Sequence, residues 1–273
     1  MDPVTHPGDG ELSYVYAVGR PGADLDAAAA GLAGLYGDPV RTVVSGGLAA
    51  VVSAVPAQDF SEAGLKAQLE DLGRLEAMAR GHHAVVDALA ARTTVLPLRL
   101  ATVHIDDAST GQVLDASRDD FTELLGRLDG HVEWGVKVYA DPDSALGSGP
   151  EPAAVPSDGS GSPGRAYLQR RRAQRNTRQN AHRAAQDVAA RVGEAAASLS
   201  ADRVAHRPQQ GELAAGSGEN IANFAYLVAR SDTETFRSAI DEAAHGAGGV
   251  RVEVTGPWAP YSFAAATGRA DGH

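Results

Sequence analysis

His82 and His83 are followed along the chain by His104, Asp106 and Asp107, five side chains of the kinds that divalent metals accept together. Their spacing belongs to no specific metal site. On a helix, one of two adjacent histidines must face the buried stripe and the other solvent, and a buried imidazole is satisfied by a hydrogen bond. Glu76 lies seven residues before His83 on the same helical face, so the two are expected to form a structural polar pair. Gly159, Gly161 and Gly164 match the GxGxxG spacing of a dinucleotide loop, yet no strand precedes them and they sit among prolines and serines. The absence of cysteine removes disulfides, thiolate metal sites and cysteine nucleophiles. No nucleophile elbow, phosphate-binding P-loop or zinc-protease helix motif occurs. The expectation is a protein with no catalytic, cofactor-binding or metal-binding residues.

Charge is the stronger chemical signal. The net charge of −11 hides a segregation: from Arg165 to Arg191 there are eight arginines against Asp187 alone, a net of +7, while the remaining residues sum to −18. Arg171, Arg175 and Arg178, with Arg183, fall along one side of a helix, the arrangement that tracks a phosphate backbone. The acidic remainder and the lack of interleaved aromatics beyond Tyr167 favour a solvated face or an acidic protein partner, with no specific nucleic acid. Only two lysines occur, so part of the arginine content reflects codon usage.

The elements that would carry these residues follow from periodicity. Leu12 to Gly19 reads as a first strand, Ala27 to Leu35 as a short helix, and "PVRTVVSGGLAAVVSAVP" as an antiparallel pair turned at Ser45-Gly46-Gly47. Ser61 is placed to cap one long helix whose Leu65, Leu69, Leu72, Leu75, Ala79, Val86 and Leu89 form an apolar stripe. Extended structure resumes around Pro97, "SRDDFTELLGRL" gives a helix, and "HVEWGVKVYA" alternates as a strand. From Asp141 to Gly164 the Pro, Gly, Ser and Asp content marks a flexible linker. Beyond it, Arg165 to Leu199 reads as one long helix, then strand, strand, helix and a last strand, "VRVEVTG". The organisation is a disordered 1–11, an α+β domain at 12–140, a linker at 141–164, a helix plus α+β domain at 165–264, and a disordered 265–273. Two split-βαβ, ferredoxin-like domains with antiparallel sheets fit this order, the second lacking one strand. Hydrophobic content of 43% supports real cores. No run of about 18 apolar residues marks a membrane span and no signal peptide is recognisable, so the cytoplasm is the expected compartment.

"TGPWAPYSF", near the end of the chain, resembles the C-terminal signature of the GvpF/GvpL family of gas vesicle proteins, Thr-Gly-Pro-Trp-Pro-Pro-Tyr-Ser-Phe. "YVYAV", "VLPLRLATV", "EWGVKVY" and "AYLQRR" follow the family's order, and the likeness spans about Leu12 to Phe263. Ala259 stands where the family usually has proline, and "RLAT" replaces "RFGT", which bears on the packing at Leu100 and Ala101. The resemblance implies two linked ferredoxin-like domains and no enzymatic activity. It implies an accessory or minor structural protein of the gas vesicle, located there, which contacts the hydrophobic shell subunit and other accessory proteins during assembly.

Trp258, Pro260, Tyr261 and Phe263 are the candidate contact residues, with Arg171, Arg175 and Arg178. Val250, Val252 and Val254 set one face of the last strand in the core, and Gly256-Pro257 is expected to end its ladder. The aromatics beyond it either pack back into the groove between the domains or stay exposed as an anchor for an apolar partner. Two other functions remain open: a ferredoxin-like small-molecule-binding or catalytic domain with Glu76 and His83 in a pocket, and a nucleic-acid module led by the arginine helix.

Overall fold

Strand β1 (Glu11–Gly19) is apolar on both faces, as the central strand of a covered sheet must be. It belongs to a computed structural model that describes residues 10–142, 163–208 and 218–264. Residues 143–162 of the expected linker, with Gly159 and Gly161, lie outside the described residues, as do 1–9 and 265–273 of the expected ends. The chain divides into two units, one comprising Met1–Val132 and Trp258–His273, the other Glu133–Pro257.

In the first unit β1 is followed by α1 (Ala23–Ala29), β2 (Arg41–Ser45) and β3 (Leu48–Pro56). Helix α1 starts four residues earlier than its alanine content suggests. Asp24 and Asp26 suit the positive first turn, and Gly31, at φ 78°, lies in the left-handed region beyond its end. Ser45 pairs with Leu48 around Gly46 and Gly47, whose φ of 59° and 83° are those of a two-residue hairpin turn.

The expected single long helix is two, α2 (Glu62–Glu70) and α3 (Leu72–Ala90). Ser61 caps the first through a bond from the Gly64 amide, but Asp71 is extended and its carboxylate accepts from the Gly73 and Arg74 amides, starting a new helix. The break carries Leu69 and Leu72 to the surface, 48% and 80% exposed, while the buried side of α3 keeps Val86 and Leu89 of the expected stripe and adds Met78, His82 and Val85. Then come β4 (Val95–Pro97), β5 (Val103–His104), α4 (Asp107–Ala116) and α5 (Arg118–Leu128). Helix α4 was not expected. Its signal is Asp106, which caps it by accepting from the Ser109 amide. The sheet runs β2-β3-β1-β4, with β5 also on β1, the strand order of a split-βαβ fold.

The second unit contains β6 (His131–Ala140), α6 (Pro163–Ala197), β7 (Asp202–Ala205), β8 (Glu219–Ala229), α7 (Thr233–Ala244) and β9 (Val250–Trp258). β6 reads from sequence as the last strand of the first domain. In the structure it lies between β8 and β9 in a sheet of order β7-β8-β6-β9, and so supplies the strand the second domain lacked. Both units are then β-α-β-β-α-β with antiparallel sheets. Val132, Trp134, Val136 and Val138 bury one face of β6, and Trp134 and Tyr226 both meet Phe236 of α7. Strand β9 is not stopped at Gly256-Pro257 but continues to Trp258. It is an edge strand, where proline's missing N–H costs no ladder bond. Val250, Val252 and Val254 are half-buried rather than core. Gly256, at φ 134°, lets the strand cross β6 closely, since a Cβ there would sit 2.8 Å from the Glu133 carbonyl.

Candidate functional site

The C-terminal aromatic segment returns to the first unit and rests on α3. How it is held begins in β1. Opposite β3, Val15 pairs with Val52 and Ala17 with Val51, leaving Tyr16 as the extra residue of a β-bulge. On its other edge β1 pairs with β4 and then β5, and residues 98–102 between them bulge out of the ladder. The Leu98 amide donates to the Tyr16 carbonyl and the Val15 amide to the Thr102 carbonyl at either end of this loop.

Tyr14, Tyr16 and His82 meet beneath it. The Tyr14 and Tyr16 ring centres are 4.9 Å apart, and each lies 5.6 Å from the His82 ring. The Ala101 amide donates to Tyr14 Oη (3.0 Å), which leaves the Tyr14 hydroxyl to donate to His82 Nδ1 (2.9 Å). His82 Nε2 then carries its proton toward the Leu98 carbonyl, 3.2 Å away. Every member of this chain is satisfied only if His82 is neutral. Burial drives its pKa down to about 4, partly opposed by the Leu98 bond and helped by the neighbouring His83. Burial also pushes the Tyr14 phenol well up, so it stays a donor. Tyr16 Oη bonds Ser53 Oγ at 2.9 Å and accepts from the Leu35 amide, and Gly34 leaves room for both, since a Cβ there would collide with Ser53. Ala101 takes a φ of 63°, a left-handed conformation that suits the glycine of the more usual RFGT.

The C-terminal segment lies on this base. The Tyr261 ring stacks on His83 at 5.2 Å and 6°, and lies 6.2 Å from His82. Its hydroxyl is buried without a hydrogen-bond partner among the described residues, and burial, Asp87 and Tyr14 together raise its pKa. Ala259, where the family usually has proline, Pro260 and Phe263 are buried, and Arg127 Nη2 donates to the Phe263 carbonyl at 2.9 Å. Trp258 stands apart from them: its ring centre is 6.1 Å from His83 and it is 43% exposed. The result is a fixed aromatic step, Tyr261 on His83, with a half-exposed indole at its rim.

The expected Glu76–His83 pair does not form. Seven residues are about 10.5 Å along a helix axis, beyond side-chain reach, and neighbours at i+4 win. Glu76 pairs with Arg80 at 3.4 Å and His83 approaches Asp87 at 4.0 Å. The five metal-type side chains also part company. His82 serves the tyrosine network, and His104 bonds Thr110. Asp106 caps α4, while Asp107 takes Ser13 (2.5 Å) and Arg41 (2.7 Å). Burial alone would raise the Asp107 carboxyl, but these two donors bring it below its ordinary value. Among the described residues no three His, Asp or Glu side chains gather as a metal site would require. No helix among them is long and apolar enough to cross a membrane. Arg171, Arg175 and Arg178 lie exposed on α6 in the second unit.

Fold and site define a two-unit ferredoxin-like α+β protein whose C-terminal aromatic segment is laid on its N-terminal unit. Known proteins share the fold. The sequence profile of the gas vesicle synthesis protein GvpL/GvpF family matches residues 12–265, and the chain belongs to that family. Gas vesicle protein L of Streptomyces sp. (strain CB03234) is 46% identical over 253 residues, covering 93% of this chain and 92% of that one. Gas vesicle protein F of the same strain is 30% identical over 255 residues, covering 92% and 98%. Among solved structures, the gas vesicle protein GvpF of Anabaena sp. PCC7120 has the same fold, with a TM-score of 0.64 at 18% identity over 97% of this chain and 100% of that one. GvpF of Microcystis aeruginosa matches at 0.59 and 21%, over 93% and 99%.

Proposed function

We propose that this protein is a non-enzymatic accessory or minor structural protein of the gas vesicle, acting in the cytoplasm and at the vesicle, which binds the apolar shell-forming subunit and other accessory proteins during assembly. The observation that carries the reading is Trp258: a large indole, half-exposed and set against the His83–Tyr261 stack, in a chain with only two tryptophans. Rigid, partly exposed aromatics over a well-packed base are the usual anchors of protein interfaces. Family membership supports the same reading. Pro260, Tyr261 and Phe263 set the indole's position, and Trp258 makes the contact. In a strain that forms gas vesicles, deletion of the gene abolishes or malforms them, and the wild-type gene restores them. Trp258→Ala, at normal protein level, does not. Full restoration by Trp258→Ala removes the anchor from the account.

A further inference from the structure

The first half of α6 after Gly164 adds no buried side chain to its unit among the described residues. The positions α6 buries, Ala181, Ala185, Val188, Val192 and Ala196, all belong to its C-terminal half, which meets α7 and β8. From Arg165 to Asn180, every side chain described is exposed except that of Thr177, over about 24 Å of helix. Arg171, Arg172, Arg175 and Arg178 make no ion pair among the described residues. Being three and four residues apart, they repel one another along the helix. Arg171 lies 5.8 Å over the exposed Tyr167 ring, and Leu168 beside it is 66% exposed. A helix with this much unneutralised like charge is stabilised by an acidic surface.

The chain carries such a surface itself. On α5, Leu124, Leu125 and Leu128 are buried, while Asp119, Asp120 and Glu123 are exposed and make no ion pair among the described residues. Asp119 and Glu123, four apart, share one face at the pitch of Arg171 and Arg175. We propose that the arginine half of α6 docks on the acidic α5 face of a second copy of this chain. The two surfaces differ, so the contact is head-to-tail: each pair leaves one arginine helix and one acidic face free, and association continues beyond a dimer. The contact is electrostatic and weakens as salt screens it.

The test is sedimentation of the full chain over a concentration series, at about 0.05 M and about 0.5 M salt. The expected result is a mass that rises with concentration past the dimer at low salt and falls back at high salt. Arg171→Glu/Arg175→Glu/Arg178→Glu and Asp119→Arg/Asp120→Arg/Glu123→Arg are each expected to weaken association by about a hundredfold, since like charges are brought together. Mixing the two variants restores it, because each supplies the surface the other needs, and this restoration also shows that both are folded. A wild-type chain that stays monomeric at low salt, or variants that fail to complement, overturns the proposal. So does a monomer that holds a short RNA or DNA duplex beyond about 0.2 M salt through the same arginines. The inference is independent of the indole's role: Trp258→Ala leaves self-association unchanged.

Discussion

Lowering the pH is expected to loosen the first unit, and His82 is the most strongly shifted of the groups responsible. In the folded chain His82 is neutral, with a pKa of about 4, and on unfolding it returns to its ordinary 6.5. Between these values the unfolded chain binds a proton that the folded one does not, so stability is full above pH 6.5 and is lost as pH falls toward 4. One pKa unit is about 1.4 kcal/mol, which puts the total loss at about 3 kcal/mol and the steepest slope at about 1.4 kcal/mol per pH unit. Tyr14, Tyr16 and Tyr261 are all raised and Asp107 is lowered, which moves them out of this pH window, whereas burial lowers His104 and raises Asp87 toward it. Both are present in the wild type and in a His82 variant, so the difference between the two isolates His82. The assay is denaturant unfolding at about pH 7.5, 6.5, 5.5 and 4.5, on the wild type and on His82→Gln, which keeps a side-chain donor and acceptor but does not titrate. The variant starts less stable and declines less steeply over this range. Parallel slopes for the two proteins would refute the neutral Tyr14–His82–Leu98 chain.

The remaining expectations use the same unit. Ala101→Gly should stabilise it by about 0.5–1 kcal/mol, reversing the usual sign of that substitution, because the left-handed φ of 63° costs alanine about 1–2 kcal/mol and glycine's unfolded-state entropy returns only part; a lowered denaturation midpoint would contradict it. Phe263→Ala removes a ring that is 1% exposed and should cost about 3–5 kcal/mol, seen as an earlier thermal transition. Trp258→Ala, at 43% exposure, should cost about 2 kcal/mol or less, and equal losses for the two would mean the indole is as buried as Phe263.

What could be read from the sequence was local. The Gly46-Gly47 hairpin, the Ser61 cap and the alternation of β6 are set by neighbours in the chain and were legible there. The sheet to which β6 belongs was not, because Val132, Trp134, Val136 and Val138 mark a buried face without naming its partner. The leucine stripe through Leu69 and Leu72 misled for a physical reason: Asp71 does better capping a new helix than continuing the old one. The pair His82 and His83 showed that one imidazole is buried, and left open which. Tyr14 and Leu98 decide it, 68 and 16 residues away in sequence. Of the candidate contact residues, the aromatic segment was visible by composition. Its division into buried Phe263 and half-exposed Trp258 depends on α3 and Arg127, which no local pattern reveals.

The central claim is that the rim indole, backed by the Tyr261–His83 stack, contacts the apolar shell subunit. Co-expression of the tagged full chain with that subunit, followed by pull-down, tests it most directly. Wild-type chain should retain the subunit, Trp258→Ala should lose most of it while melting within a few degrees of the wild type, and Trp258→Phe should recover part. Undiminished retention by Trp258→Ala would contradict the claim.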